Sequence, residues 1–177
     1  LNKLSSRQRK ILLLLHLIFA SIMLGGQAVF VILALTASVT DSVSVLQACY
    51  TIMHLLADSS VRASTIGTTV TGILLSVLTS WGLFRHHWLI AKEALTLLTI
   101  GIGLIGIYRW TLRGVELTGL AGSNDWDTAG FAVNHAWLWT GIALQTASLI
   151  AMFVLSVWKP GGQRRIYKRP IKEAKAR

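Results

Sequence analysis

Four stretches of this chain, at about 11–38, 61–84, 88–113 and 131–158, are apolar for longer than the roughly 18 residues that mark a membrane-spanning helix. At about 1.5 Å per residue, each crosses a hydrocarbon core of about 30 Å with some tilt. Only 14% of the residues are charged, against about a quarter in a soluble domain, and the charges are segregated between the apolar runs. The expected class is therefore all-α, an integral membrane four-helix bundle. A fifth apolar stretch, at about 42–57, is too short for a confident span. It reads as a short extra helix lying on the outer face of the bundle.

Charge placement predicts the orientation. Lys3, Arg7, Arg9 and Lys10 precede the first run, and the segment 159–177 carries a second basic cluster. With Arg85 and Lys92 at the turn between the second and third runs, most of the 17 Lys and Arg residues share one side; Arg62, Arg109 and Arg113 remain on the other. Lys and Arg bias marks the cytoplasmic side, so both termini are expected in the cytoplasm (N-in, C-in) of a multi-pass cell-membrane protein. The domain reading is a basic N-terminus at 1–10, a transmembrane domain at 11–158 and a basic cytoplasmic tail at 159–177. The net charge of +10 then meets anionic lipid of the bilayer rather than nucleic acid. The first run follows basic residues as a secretory signal would. It is too long for a signal core and no small-residue cleavage site ends it, so it is expected to be a retained helix.

Small residues recur at helical spacing, as close helix packing in lipid requires. Thr65, Thr69, Gly72, Ser76 and Thr79 form a stripe on the second span, and Thr99, Gly103, Gly106, Trp110 and Arg113 one on the third. Cys49 is the single cysteine, which excludes an intrachain disulfide and a thiolate metal cluster.

Ionisable residues inside a span are costly and mark candidate sites. His16 shares a face with Ala20, Met23, Gln27 and Ala34, a stripe that would line a path, admit a flat cofactor or simply hydrogen-bond neighbouring helices. A second group gathers toward the outer face: His54, Asp58 one turn later, Arg62, Arg109, Arg113 and His135. Two imidazoles from different helices would serve as axial ligands of haem b, and the arginines would pair its propionates. Trp126, Trp137 and Trp139 would flank a porphyrin, although an ordinary interfacial aromatic belt accounts for them equally. His54, Asp58 and His135 also suit directly bound copper or zinc. His86 and His87 read as a solvated turn, with an inner haem shared with His16 as the other option. No hydrolase, phosphate-loop or nucleotide motif is present.

Leu15-His16-Leu17, Ala20 and Gly25-Gly26 in the first span resemble the opening helix of the bacterial copper-resistance D family. The same residues, with Thr71-Gly72, Trp88-Leu89, Lys92 and Leu95, are similar to a family of predicted bacterial four-helix integral membrane proteins of unknown function. That resemblance covers about 11–113 and implies a small helix bundle. Met23, Met53 and Met152 are widely separated, which argues against copper transport. The distribution of His over several helices is similar in architecture to four-helix b-type cytochromes. The expected function is a membrane-bound b-type haem protein for electron transfer or redox and ligand sensing; as an enzyme it would be a haem-dependent oxidoreductase, with a redox protein or quinone as partner. A metal-binding or transport-related bundle and a structural accessory subunit are the competing classes, and an oligomer is compatible with each.

Overall fold

The computed structural model describes residues 4–78 and 86–160. Four helices carry these segments: α1 (Ser6–Val39), α2 (Val43–Leu78), α3 (His87–Gly119) and α4 (Thr128–Trp158), each long and apolar enough to cross a membrane. The all-α four-helix expectation is met, and the chain is a multi-pass membrane protein by the length and composition of its helices.

Local chemistry sets the helix ends. Ser5 and Gln8 form a reciprocal capping box at the start of α1. Asp127 caps α4 by accepting from the Gly130 N–H at 2.8 Å. Gly122, at φ +88, makes the turn between α3 and α4 that a residue with a Cβ would strain. Lys159 ends α4 in the left-handed conformation just before Pro160.

The stretch 42–57, expected as a separate outer helix, is helical but not separate. Val43–Leu56 runs through a π-helical segment, Ala57–Val61, straight into Arg62–Leu78. Asp58, Ser59 and Ser60 are polar, yet none of them is Gly or Pro. Ser59 returns its hydroxyl to the Leu55 carbonyl and Ser64 returns its own to Val61, so the wide turn keeps its carbonyls partnered. The third helix also runs beyond the expected 113, to Gly119. At 31 to 36 residues per helix, the bundle is about 46–54 Å long, well over the hydrocarbon thickness.

The helices alternate in direction. His16 meets Thr71 and Met23 meets Thr65 between α1 and α2; Lys92 meets Ser156 and Thr96 meets Met152 between α3 and α4. These contacts define a basic end, where Lys10 and Lys92 lie, and a far end holding residues 39–43 and 120–127. At the far end α2 and α3 pack closely, with the Tyr50 ring laid on Gly114, where any Cβ would collide with it. In the basic half α1 packs mainly against α2, and α3 mainly against α4.

A second π-helical segment, Gly101–Ile107, interrupts α3 and contacts the first. Its effect on register is concrete. The small-residue stripe expected at Gly103, Gly106, Trp110 and Arg113 is buried at Thr99 and Gly103. Beyond the π segment it moves one place along, to Ile107, Thr111 and Gly114. A π turn takes in an extra residue, so the face rotates by about one residue, or roughly 100°. On α2, Thr65 and Ser76 are buried as expected; Thr79 lies outside the described residues.

Candidate functional site

His16 and His54 are held in the same way. The Nδ1 atom of His16 is 3.0 Å from Thr71 Oγ1, and that hydroxyl donates to the Gly67 carbonyl at 2.6 Å. The Nδ1 atom of His54 is 3.3 Å from Thr111 Oγ1, which donates to the Ile107 carbonyl at 2.8 Å. In both pairs the threonine proton is committed to its own helix, so the ring nitrogen is the donor and Nδ1 carries the hydrogen. The His54 Nε2 then bears a lone pair with no hydrogen-bond partner among the described residues, while the His16 ring also meets the Thr68 backbone carbonyl. Both imidazoles are half-buried, His16 between α1 and α2 near the basic end and His54 between α2 and α3 toward the far end.

Tyr108 lies against His54 with ring centroids 5.0 Å apart, and the Arg62 guanidinium sits 4.7 Å over the Tyr108 ring. Arg62 is paired with Asp58 at 2.7 Å. Arg62 therefore shares a surface with His54 through Tyr108, and Asp58 is engaged by Arg62. Arg109 and Arg113 are placed elsewhere. Both are exposed, on the side of α3 turned away from Thr111, because the π segment has rotated the helix beneath them. The structure does not bring them to His54.

His135 has a different environment. Its Nδ1 is 2.7 Å from Tyr50 Oη and its Nε2 is 3.0 Å from Ser38 Oγ. Trp139 Nε1 is 3.0 Å from Ser38 Oγ and 3.1 Å from His135 Nε2. Ser38 also donates to the Ala34 carbonyl at 2.8 Å. Trp139 N–H donates to both Ser38 Oγ and His135 Nε2, and Ser38 O–H donates to the Ala34 carbonyl; the imidazole tautomer decides the direction of the Tyr50–His135 bond. Phe131 stacks on the imidazole at 5.6 Å and 20°. His135 thus uses both nitrogens to tie α4 to α1 and α2. In this arrangement both His135 nitrogens are hydrogen-bonded, whereas the His54 ring meets Thr111 and Tyr108.

Among the described residues, no three His, Cys, Asp or Glu side chains gather as a metal-ligand group, His54, Asp58 and His135 included. Of the flanking tryptophans, Trp139 belongs to the His135 network, Trp126 packs on Phe131, and Trp137 stacks on Trp110 at 6.2 Å on an exposed face. His86 is the residue before the first turn of α3, with its ring 6.0 Å from Trp88, and His87 is exposed. Sequence reasoning missed Thr71, Thr111, Tyr108 and Tyr50. Tyr50 had a usable signal, being one turn before His54 on the same helix; the threonines had none, since Thr71 and Thr111 are two of several threonines at helical spacing in the spans.

No protein-family model, curated protein or solved structure matches the chain.

Proposed function

We propose that this chain is a membrane-bound b-type haem protein for electron transfer or for sensing a redox ligand, with His54 and His16 as the ligating imidazoles. The observation that carries the reading is the repeated His–Thr pair. A metal-bound imidazole normally donates its other ring N–H to a fixed acceptor, which sets the tautomer and ring orientation. Thr111 and Thr71 play that part here and leave each Nε2 for iron. A haem bound at either imidazole would supply a one-electron couple. Around His54 this chain's own groups hold the ring through Thr111, set Tyr108 at a tilt beside it and place the Arg62 charge within reach of a propionate.

Haem is favoured over directly bound copper or zinc by ligand number. A porphyrin brings four nitrogens, so one or two histidines suffice, whereas a structural zinc site needs four protein ligands and a catalytic one three. The described residues offer His54 and His16 singly. Orientation belongs to the same proposal: the basic end faces the cytoplasm of a cell membrane, and His54 lies toward the outer side.

The test is the reduced-minus-oxidised optical spectrum of the detergent-purified chain beside His54→Ala and His16→Ala. A Soret band with reducible α/β bands is expected in the parent, with loss of haem in proportion to each ligand removed. A parent without these bands, or two variants with the parent's full haem content, would overturn the reading. Stoichiometric copper or zinc in a spectrally silent parent would favour the metal-binding alternative.

A further inference from the structure

Two lysines act on one another where α3 begins and α4 ends. Lys92, on the second turn of α3, is half-buried, and its Nζ lies 2.7 Å from Ser156 Oγ on α4. Ser156 commits its own proton to the Met152 carbonyl at 2.8 Å, so it takes one N–H of the ammonium. The other N–H groups of Lys92 have no hydrogen-bond partner among the described residues. No described carboxylate pairs with Lys92 either. Glu93, next in sequence, has its Oε1 buried without a partner, and Asp58 is engaged by Arg62. The charge that acts on Lys92 is Lys159, just past the end of α4, and it repels.

The last carbonyls of α4 carry roughly half a negative charge and favour a cation nearby. They account for one ammonium and leave the repulsion between two. Lys159 is also a costly residue for its position. It follows α4 in the left-handed conformation, at φ 45, where glycine or asparagine is usual. A helix stop alone calls for glycine; lysine adds a charge. Depth points to what the charge meets. Lys92 and Arg113 are about 30 Å apart along α3, which matches the hydrocarbon thickness. With Arg113 at one boundary of the hydrocarbon, Lys92 is at the other, where lipid phosphates begin. Val157 and Trp158 are exposed on the same turn of α4 as Ser156, facing acyl chains.

We propose that Lys92 and Lys159, with Ser156 orienting the first, hold the phosphodiester of an anionic phospholipid in the leaflet at the basic end. A phosphodiester brings ionised oxygens that accept from both ammonium groups, in charge-assisted bonds roughly twice as strong as neutral ones. The net charge of the lipid sets the selectivity. A zwitterionic lipid carries its own cationic group, which adds a third positive charge to the two; phosphatidylglycerol carries none. The seat is independent of the haem reading. It differs from the diffuse attraction of a basic segment to a membrane surface, because it requires these two lysines rather than any two basic residues.

The full chain in detergent is given equal amounts of phosphatidylglycerol and phosphatidylcholine with matched acyl chains, and the lipids it retains are counted by native mass spectrometry. Phosphatidylglycerol is expected to be retained several-fold over phosphatidylcholine, and Lys92→Gln/Lys159→Gln to bring the two toward parity. Arg7→Gln/Lys10→Gln removes the same charge from exposed positions at the same end of the bundle and should keep the parent's preference. Lys159→Gln alone, at an exposed position past α4, spares the packed helices and should lower the preference part-way. Equal retention of the two lipids by the parent overturns the proposal. So does a parental preference in either Lys159 variant, or an equal loss in the two double variants.

Discussion

The hydroxyl of Tyr50 is hydrogen-bonded to Nδ1 of His135 across 2.7 Å, joining α2 to α4 at the far end of the bundle. Through Nε2 the same imidazole reaches Ser38 on α1, so one histidine fastens three helices. Tyr50→Phe removes the hydroxyl and leaves a half-buried ring nitrogen without its partner. A loss of about 1–3 kcal/mol is expected, read from thermal or denaturant unfolding in detergent. In a double-mutant cycle with His135→Ala the two changes should couple by about 0.5–3 kcal/mol. Additive effects would show that the contact carries no stability.

Gly114 is the second fixed point of Tyr50. Gly114→Ala puts a methyl group into the tyrosine ring, with strain of about 1–3 kcal/mol expected from overpacking. Gly25, whose added Cβ would meet nothing, is the control. Gly25→Ala should be neutral or slightly stabilising in the same melt, since alanine is the better helix former. Equal effects at the two sites would contradict the packing.

Thr111→Val tests the His–Thr pair without touching a ligand. The shape is kept, but the acceptor for His54 Nδ1–H is lost, and with haem bound the affinity should fall about 10–100-fold. Arg109→Gln alters an exposed charge on the opposite side of α3 and should leave the affinity near the parent's. Haem titration of the apoprotein reads both; an unchanged Thr111→Val would remove the role given to the threonine.

Orientation is checked by labelling. In a Cys49→Ser background, cysteine placed at Ser123 should react with an impermeant maleimide added outside intact cells, and cysteine at Gln163 should react only after permeabilisation. The reverse pattern would turn the protein over in the membrane and put His54 on the cytoplasmic side.

Much of the molecule follows from the sequence itself. Four apolar runs, too long for anything but spanning helices, determine an all-α bundle, because a backbone in lipid must satisfy its own hydrogen bonds. The His16, Met23, Gln27 and Ala34 face could be read from helical spacing, and α1 keeps that face because no π segment interrupts it. On α2 and α3 the same reading fails at identifiable places. A polar Asp-Ser-Ser run looks like a loop until the π turn at Ala57–Val61 carries the helix through it. The π turn at Gly101–Ile107 then rotates α3, so that Thr111 and Gly114 face α2 while Arg109 and Arg113 face out. Whether a helix takes an extra residue into one turn depends on what the neighbouring helix offers for packing, and a 3.6-residue period contains no record of it. Tertiary structure likewise decided which histidines keep a free nitrogen. His16, His54 and His135 are equivalent on paper. Only the partners across the helix gaps, a threonine that can accept one bond or a tyrosine and serine that take both nitrogens, set them apart.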